Sequence, residues 1–404
     1  MKTKLFFVLI FTTFQLLVNG QGRYYKAQMH CHTTNSDGGY SPVDLVNKYK
    51  DKGYEIMFIT DHNFLTDSVY VPGVLCIPSE EITFKRHMNG FFLSKNIMPD
   101  ENFTCQQAID SVIAQGGLIQ LNHYFPGPFT DDNWEVGAPE IISFQNGPHM
   151  LEIWNTGTET VQTHDDKSIW DAVLTAGKVV WGSATDDFHP SVSEALEFNK
   201  GWNMIWLDTL TKEAVYNALL NGKFYASTGV EITEYQVNDY GTYKSINISS
   251  SNANKIKFWG PGHQVLQEVN GSSASFILQS HSYVRIELIN EGILGMSNTY
   301  AWTQPVFLNN PLHMADNKND IPYIQLYPNP NYGMATIDIK SRQAGNLKLD
   351  ILTLEGKFIT NVANEYIDKN NYQFLFDISP MPSGFYLLKV EFNDVSKTLI
   401  FEKI

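Results

Sequence analysis

The segment "MHCHTTNSDGGYS" (29–41) carries side chains that can bind a metal ion. His30 and His32 stand two residues apart, and Asp37 follows His32 by five residues. Side chains two apart on a strand share a face, so both imidazoles can reach one cation while Cys31 points the other way. With 11 histidines in 404 residues, chance alone gives roughly 0.3 His-x-His pairs. The pair therefore needs support from the rest of the chain.

Similar side chains recur where other predicted strands end. They are Asp61 and His62 after "IMFIT", Glu80 and Glu81 in "IPSEEIT", His87, His123 after "LIQLN", and Asp187 and His189 after "KVVWGSAT". The carboxyl ends of parallel strands meet on one rim of an α/β fold, which is where sites are built. Six of the 11 histidines fall at these strand ends. The recurrence predicts a metal centre.

The elements that must position these residues are short apolar runs alternating with helical patterns between residues 23 and 228. Ser41, Pro42 and Asp44 predict the start of a helix that ends at Gly53. Further helical patterns are "CQQAIDSVIAQ", which a capping box precedes, "DKSIWDAVLTAG" and "TKEAVYNALLNGK". Alternation of strand and helix with continuous apolar strands predicts a buried parallel sheet, either open or closed into a barrel.

The pattern of apolar and polar residues divides the chain into several segments. Residues 1–20 combine "MKTK" with an apolar run too short for a membrane span of roughly 20 residues, which predicts a signal peptide. Residues 21–230 form the α/β part, and residues 231–310 alternate apolar and polar side chains as a small β-sandwich does. A polar linker (311–320) leads to a third, all-β unit (321–404). No later segment is predicted to cross a membrane.

Composition limits the partners of the chain. There are 28 Lys and Arg against 43 Asp and Glu, a net charge of −15, which disfavours stable nucleic-acid binding because that depends on Lys and Arg displacing counterions. Three cysteines in an exported chain allow at most one disulfide. We therefore expect stability to come from apolar cores, with metals as a further source, and small substrates stay possible.

The strings "HCHTTNSDG", "ITDHN", "EEIT", "HMNGF", "LNHYFPG" and "ATDDFH", in that order, resemble the polymerase and histidinol phosphatase (PHP) superfamily of metal-dependent phosphoesterases. The resemblance covers about residues 26–230 and implies a distorted (β/α)7 barrel with a metal cluster at its carboxyl rim. It implies a small phosphorylated substrate and two or three divalent ions (zinc, manganese, iron or magnesium). By position, it implies that one metal is held by His30, His32, Glu81 and Asp187, a second by Glu81, His87 and His123, and a third by Asp37, His62 and His189.

Several residues keep alternatives open within this resemblance. Adjacent residues on a strand face opposite ways, so only one of Glu80 and Glu81 can reach the cluster and bridge two metals. The motif favours Glu81. Asp186 is expected to be a neighbour rather than a ligand. Asp61 fits either a hydrogen-bond partner of a liganding imidazole or a helix cap. Asp37 stands where other members have histidine, which favours manganese or magnesium at that position over zinc.

The resemblance also implies the roles of the remaining candidates. Glu81, Asp187 and His62 would act in catalysis through a water activated by the metals. Lys85 and Arg86 are candidates for binding phosphate or a solvated charge pair, and Glu152 and Asn155 for lining the pocket or forming a core strand with a polar tip. Two other functions stay possible: hydrolysis of amide or ester bonds at a similar cluster, and a non-catalytic binding module on the same scaffold.

The last unit resembles a different family. "LYPNPNYG" (326–333), "LKLDILTLEGK", "ISPMPSGFYLLKV" and the terminal "TLIFEKI" are similar to the type A sorting domain of the type IX secretion system. The resemblance implies passage through the periplasm to the cell surface or outside by that machinery, with the signal peptide and the sorting domain removed on export.

Overall fold

The computed structural model describes residues 22–84, 86–124, 137–156, 166–190, 194–292, 297–308, 323–328, 331–341, 344–353, 357–368, 370–393 and 395–404. The predicted signal peptide (1–20) and linker (311–320) lie outside these residues. The chain divides into two compact units, Met1–Leu308 and Asn309–Ile404. No helix in the described ranges is long and apolar enough to cross a membrane.

The helices described in the first unit are α1 (Pro42–Lys50), α2 (Cys105–Ile113), α3 (Ala138–Ser143), α4 (Asp166–Thr175), α5 (Glu194–Glu197) and α6 (Lys212–Leu220). Its strands up to residue 227 are β1 (Arg23–Gln28), β2 (Ile56–Phe58), β3 (Leu75–Ile77), β4 (Ser79–Thr83), β5 (His87–Phe91), β6 (Leu118–Leu121), β7 (Met150–Asn155), β8 (Trp181–Thr185), β9 (Trp202–Leu207) and β10 (Phe224–Ser227). Those that follow are β11 (Ile232–Asp239), β12 (Lys244–Ser250), β13 (Lys255–Gly260), β14 (Gln264–Asn270), β15 (Ser273–Leu278), β16 (Tyr283–Asn290), β17 (Thr299–Thr303) and β18 (Val306–Phe307).

The predicted helix starts are confirmed by their capping contacts. The Ser41 hydroxyl accepts a hydrogen bond from the Asp44 amide, and Pro42 occupies the first turn of α1. Thr104 and Gln107 form both bonds of a capping box at α2. Gly53, after α1, has a positive φ of 81°, a conformation that glycine adopts at little cost.

The sheets are mixed rather than wholly parallel. β1, β2 and β3 run parallel, as do β6, β7 and β8. β5, however, pairs antiparallel with both β4 and β6, and β9 pairs antiparallel with β1 and β10. Only three residues separate β4 from β5, too few for the crossover that a parallel pair requires. The expectation of a parallel sheet was therefore wrong for β5 and β9.

Two isolated bridges join the two sheets that carry these strands. Cys31 pairs with Phe188 beyond the ends of β1 and β8, and His62 pairs with Glu81 between the end of β2 and β4. These bridges give seven strands the ring order β1-β2-β4-β5-β6-β7-β8. β3, which pairs with β2, lies outside this order. Continuous strand pairing around the ring is not seen in the described residues, and the (β/α)7 barrel remains a prediction.

Side-chain amides cover the free backbone edge of β8. Gln304 accepts from the Gly182 N–H and donates to the Gly182 carbonyl, both at 2.8 Å. Asn203 accepts from the Ala184 N–H at 3.2 Å and donates to its carbonyl at 2.9 Å. Both amides are buried and satisfy backbone groups that a neighbouring strand would otherwise pair.

The region predicted as a separate β-sandwich shares a sheet with the α/β part. β17 pairs with β10, so one sheet runs in the order β14-β13-β16-β17-β10-β9-β1-β2-β3. A second sheet, β11-β12-β15, packs against it through buried side chains such as Ile246, Ile256 and Ile286. Both parts belong to the first compact unit, and the boundary proposed at residue 230 remains a prediction.

The second unit is all β in its described residues. Its strands are β19 (Tyr323–Tyr327), β20 (Met334–Lys340), β21 (Gly345–Thr353), β22 (Phe358–Ile367), β23 (Asn371–Asp377), β24 (Gly384–Phe392) and β25 (Val395–Lys403). They form sheets β19-β20-β23 and β22-β21-β24-β25, and Ile337, Leu349 and Leu388 are among the buried residues between them. Two sheets enclosing one apolar core constitute a β-sandwich.

We expect Gln304→Leu to destabilise the first unit by about 2–4 kcal/mol, because it leaves a buried N–H and a buried carbonyl of Gly182 without partners. Urea unfolding followed by tryptophan fluorescence measures this unit alone, since every tryptophan precedes residue 303. Gln264→Leu, at an exposed glutamine, is the control. Equal losses in the two variants would show that the bonds to Gly182 contribute nothing.

His149 makes the stability of the first unit depend on pH. Its Nδ1 accepts from the Ile119 N–H at 3.2 Å, and burial lowers the pKa of His149 from 6.5 to about 4. The unfolded chain therefore takes up a proton at a higher pH than the folded chain, so stability falls as pH drops from about 6.5 to about 4. We expect His149→Asn, which keeps an acceptor but does not titrate, to remove roughly 1–3 kcal/mol of that loss, as measured by urea unfolding at each pH. Parallel curves for the two proteins would refute this.

Candidate metal centre

The structure brings all nine predicted ligands together. They come from β4, from the start of β5 and from the segments after β1, β2, β6 and β8: His30, His32, Asp37, His62, Glu81, His87, His123, Asp187 and His189. Four overlapping groups of these residues each have ligand atoms within 4.8 Å of one another. Because the groups share members, the donors form one cluster rather than isolated sites.

His87 reaches the cluster because β5 runs against its neighbours. It is the first residue of β5, whereas the sequence pattern predicts a position at the carboxyl end of a strand. A strand that runs antiparallel to its neighbours begins on the rim where those neighbours end. Its Nδ1 consequently lies 3.1 Å from Glu81 Oε1.

Glu81 occupies the middle of the cluster and is fully buried. Its Oε1 lies 3.3 Å from His30 Nε2 and 3.6 Å from His123 Nε2, in addition to the contact with His87. Its Oε2 lies 2.8 Å from His62 Nδ1 and 3.5 Å from His32 Nε2. One carboxylate therefore faces five imidazoles.

Asp187 and Asp37 are the other two carboxylates. Asp187 Oδ1 lies 3.1 Å from His30 Nε2 and 3.2 Å from His32 Nε2. Its backbone adopts a positive φ of 51°, a conformation that aspartate tolerates better than most residues. Asp37 Oδ1 lies 3.3 Å from His189 Nε2, and its Oδ2 lies 3.5 Å from His62 Nε2.

Asp61 and Gly38 hold the loop that carries Asp37. Buried Asp61 accepts from the Thr33 amide at 2.7 Å and from the Ser36 hydroxyl at 2.9 Å. A Cβ atom at Gly38 would lie 2.2 Å from the His32 carbonyl oxygen, so the loop can return this closely only with glycine. Asp61 thus orients a loop, whereas the sequence predicts that it bonds an imidazole or caps a helix. Among the described residues, its side chain accepts from Thr33, Ser36 and Thr66 rather than from an imidazole.

The donors fit divalent cations in kind and spacing. Nitrogen and carboxylate ligands about 2.1 Å from one cation lie about 3.0 Å apart in octahedral geometry and about 3.4 Å apart in tetrahedral geometry. The contacts of His30 Nε2 and His32 Nε2 with Asp187 and Glu81, 3.1–3.5 Å, fall near this range. These two nitrogens are buried without a hydrogen-bond partner among the described residues, which is costly unless a cation binds them.

Buried charge explains the protonation of the cluster. Burial lowers the pKa of His32 to about 4, so its imidazole is neutral at neutral pH. Burial also opposes protonation of His62, but the hydrogen bonds with Asp37 and Glu81 outweigh it and raise the pKa to about 10. Burial alone would raise the pKa of Glu81, yet His87 and His30 hold it well below its ordinary value. The buried carboxylates thus need compensation by protons on the imidazoles or by cations.

The neighbours of Glu81 and Asp187 point away from the cluster. Glu80 is buried and accepts from the Ile97 amide at 2.8 Å. Asp186 accepts from Tyr49 and from the amides of 199–201. Glu80 and Glu81 lie within β4, where the alternation of side chains along an extended strand accounts for their separation.

The predicted substrate-binding residues lie in different settings. Lys85 is outside the described residues. Arg86 Nη2 lies 3.6 Å from Glu140 Oε2, which is a charge pair. Glu152 and Asn155 are buried. Glu152 Oε1 accepts from His30 Nδ1 at 2.6 Å, and Asn155 Nδ2 donates to Asp187 Oδ2 at 3.3 Å, so both contact candidate ligands rather than an open pocket.

Two residues near the cluster were missed in the sequence. Asn122 donates to Glu81 Oε1 at 2.8 Å, and the Thr83 hydroxyl lies 2.6 Å from His62 Nδ1. Thr83 stands two residues after Glu81 and so shares its face, a signal that was available. Asn122, next to His123, gave no comparable signal, because its contact depends on how β6 lies against β4.

Residues 325–402 match the family model of the secretion system C-terminal sorting domain. This match confirms the resemblance inferred for the third unit. It indicates export by type IX secretion to the cell surface or outside. No curated protein matches the chain.

Several solved structures are similar to this chain. One is a two-domain protein of Bacteroides vulgatus containing a predicted PHP-like metal-dependent phosphoesterase, at 16% identity over 71% of this chain and 96% of that one, with a TM-score of 0.43. A proposed metal-dependent phosphoesterase of Bifidobacterium adolescentis has 15% identity over 40% and 87%, with a TM-score of 0.32. An amidohydrolase of Chromobacterium violaceum has 12% identity over 41% and 88%, with a TM-score of 0.30. These values are too low to assign an activity to this chain.

The two adjacent glutamates allow a sharp test of the cluster. We expect Glu81→Gln to weaken zinc or manganese binding by more than about 100-fold, because a residue facing five imidazoles loses its charge. Glu80→Gln should retain binding, since burial raises the pKa of Glu80 to about 8 and the group is already mostly neutral at pH 7. Competition with a chromophoric chelator measures both affinities. Loss in Glu80→Gln with retention in Glu81→Gln would reverse the assignment.

Proposed function

We propose that this chain is an exported metal-dependent phosphoesterase that hydrolyses a phosphate mono- or diester. The observation that carries the proposal is the convergence of six imidazoles and three carboxylates in one partly buried cluster with unpaired donor atoms. The resemblance of the ordered motifs from "HCHTTNSDG" to "ATDDFH" to the PHP superfamily supports phosphate esters as the substrate class. The sorting domain supports the export of the enzyme.

The ligands are divided among two or three cations. One position is assigned to His30, His32, Glu81 and Asp187; a second to Glu81, His87 and His123; and a third to Asp37, His62 and His189. Glu81 is the shared ligand because its two oxygens face different imidazoles. The supporting fold is a distorted seven-stranded barrel, closed at the rim by the Cys31–Phe188 and His62–Glu81 bridges.

The chemistry follows from the charges of these residues. A bound divalent cation lowers the pKa of a coordinated water and offsets the negative charge of a phosphate ester. Glu81 and Asp187 supply the negative charge that retains cations, and both stay ionised in their imidazole surroundings. His62 lies between two carboxylates, 3.5 Å from Asp37 Oδ2 and 2.8 Å from Glu81 Oε2, and would act in catalysis through the water that the cations coordinate.

We expect the full-length chain, loaded with zinc or manganese, to release phosphate or nitrophenol from an aryl phosphate or a bis-aryl phosphodiester. His30→Ala with His32→Ala should lower both metal content and turnover by more than about 100-fold, since two buried ligands are lost. His281→Ala, outside the cluster, is the matched control. Elemental analysis and a phosphate-release assay measure the two effects.

The alternatives give different outcomes in the same experiment. Hydrolysis of aryl esters or amides without action on any phosphate ester identifies an amide or ester hydrolase. Metal binding without turnover across nucleotides, sugar phosphates and phospholipid head groups identifies a binding module. Full activity after chelation contradicts the metal-dependent mechanism itself.

A further inference from the structure

Glu152 on β7 is a carboxylate surrounded entirely by donors. Its Oε1 accepts from His30 Nδ1 at 2.6 Å, the Thr185 hydroxyl at 2.7 Å and Gln120 Nε2 at 3.2 Å. Its Oε2 accepts from the His123 amide at 2.8 Å and Asn155 Nδ2 at 3.0 Å. The side chain is fully buried. No described partner is an acceptor, so the surroundings match an ionised carboxylate and leave it no free lone pair for a cation or a substrate.

The contact with His30 determines which of its ring nitrogens can bind a metal. Because a carboxylate can only accept, His30 Nδ1 must donate, and its proton is held there. The lone pair is then on Nε2, the atom that lies 3.3 Å from Glu81 Oε1 and 3.1 Å from Asp187 Oδ1. A carboxylate behind a metal-binding imidazole fixes its orientation and strengthens it as a donor.

The same carboxylate contacts two further strands that carry ligands. Its bond to the His123 amide holds the backbone at the end of β6. Asn155 bridges it to Asp187, donating to Glu152 Oε2 at 3.0 Å and to Asp187 Oδ2 at 3.3 Å. The positions of three candidate ligands, which follow β1, β6 and β8, therefore depend on one buried carboxylate on β7.

We propose that Glu152 is a positioning residue that sets the tautomer of His30 and raises the affinity of the cluster for its cation. This replaces the substrate-contacting role expected from the sequence. The proposal rests on the metal centre of the proposed function, but it concerns how the cation is held and is independent of the bond that is hydrolysed.

Glu152→Gln tests the charge with little change in volume. Whichever way the glutamine amide turns, its NH2 group faces at least two of the five hydrogen-bond donors. A neutral amide also does not strengthen His30 Nε2 as a metal donor in the way that a carboxylate does. We expect the dissociation constant for zinc to rise about 10–100-fold, as measured by chelator competition with the full chain. Glu80→Gln is the matched control: it changes another buried glutamate, and that side chain contacts no candidate ligand among the described residues.

Thr185→Val separates the charge from general packing. It removes one of the five hydrogen bonds and leaves the carboxylate and its bond to His30 in place. If Glu152 acts through His30, Thr185→Val binds zinc much more tightly than Glu152→Gln does. The comparison holds when the two variants have equal thermal stability without metal. Equal affinities of the Glu152→Gln variant and the unmodified chain would overturn the proposal, and so would equal weakening by the two variants.

NMR of the unmodified chain gives a readout that needs no variant of Glu152 to fold. With zinc bound and histidines labelled with nitrogen-15, His30 should carry its proton on Nδ1, assigned by loss of the signal in His30→Ala. A proton on Nε2 would contradict the proposal. If the unmodified chain binds no metal, the proposed function fails instead; if it binds metal but cleaves no phosphate ester, the role of Glu152 is still tested.

Discussion

The structure of the first unit depends on the cost of burying negative charge. Glu81 has no exposed surface, and a carboxylate in such a place is tolerated only when positive charge or strong donors surround it. Five imidazoles meet it, drawn from segments that are far apart in the chain. The strand ends that carry those imidazoles must therefore converge, because the buried carboxylate needs compensation by protons on the imidazoles or by cations.

The imidazoles converge on Glu81 because the sheets depart from a regular parallel arrangement at a few positions. The reversed direction of β5 brings His87 to the rim, and the bridges at Cys31 and His62 draw the two sheets together there. The free edge of β8 is covered by the side chains of Asn203 and Gln304. Because Gln304 follows β17, the β-rich region after residue 230 contributes directly to the scaffold of the metal centre.

Much of the site was predictable because its signals are local. Period-two spacing places His30 and His32 on one face, and a cap needs only the four residues around Ser41. The direction of β5 and the partners of Glu152 were not predictable, since they depend on which strands become neighbours. The sequence consequently left Glu152 either lining a pocket or ending a core strand, whereas the structure places it 2.6 Å from His30 Nδ1.

The sequence by itself determined the kinds of donor, their spacing within each segment, the helix starts and the presence of a sorting domain, because each is encoded by a few adjacent residues or a contiguous motif. Only the tertiary structure decided which donors share a carboxylate and which acid orients His30. Those relations join residues of different segments, up to 122 positions apart in the chain. Burial and charge balance fix them only when the strands have come together.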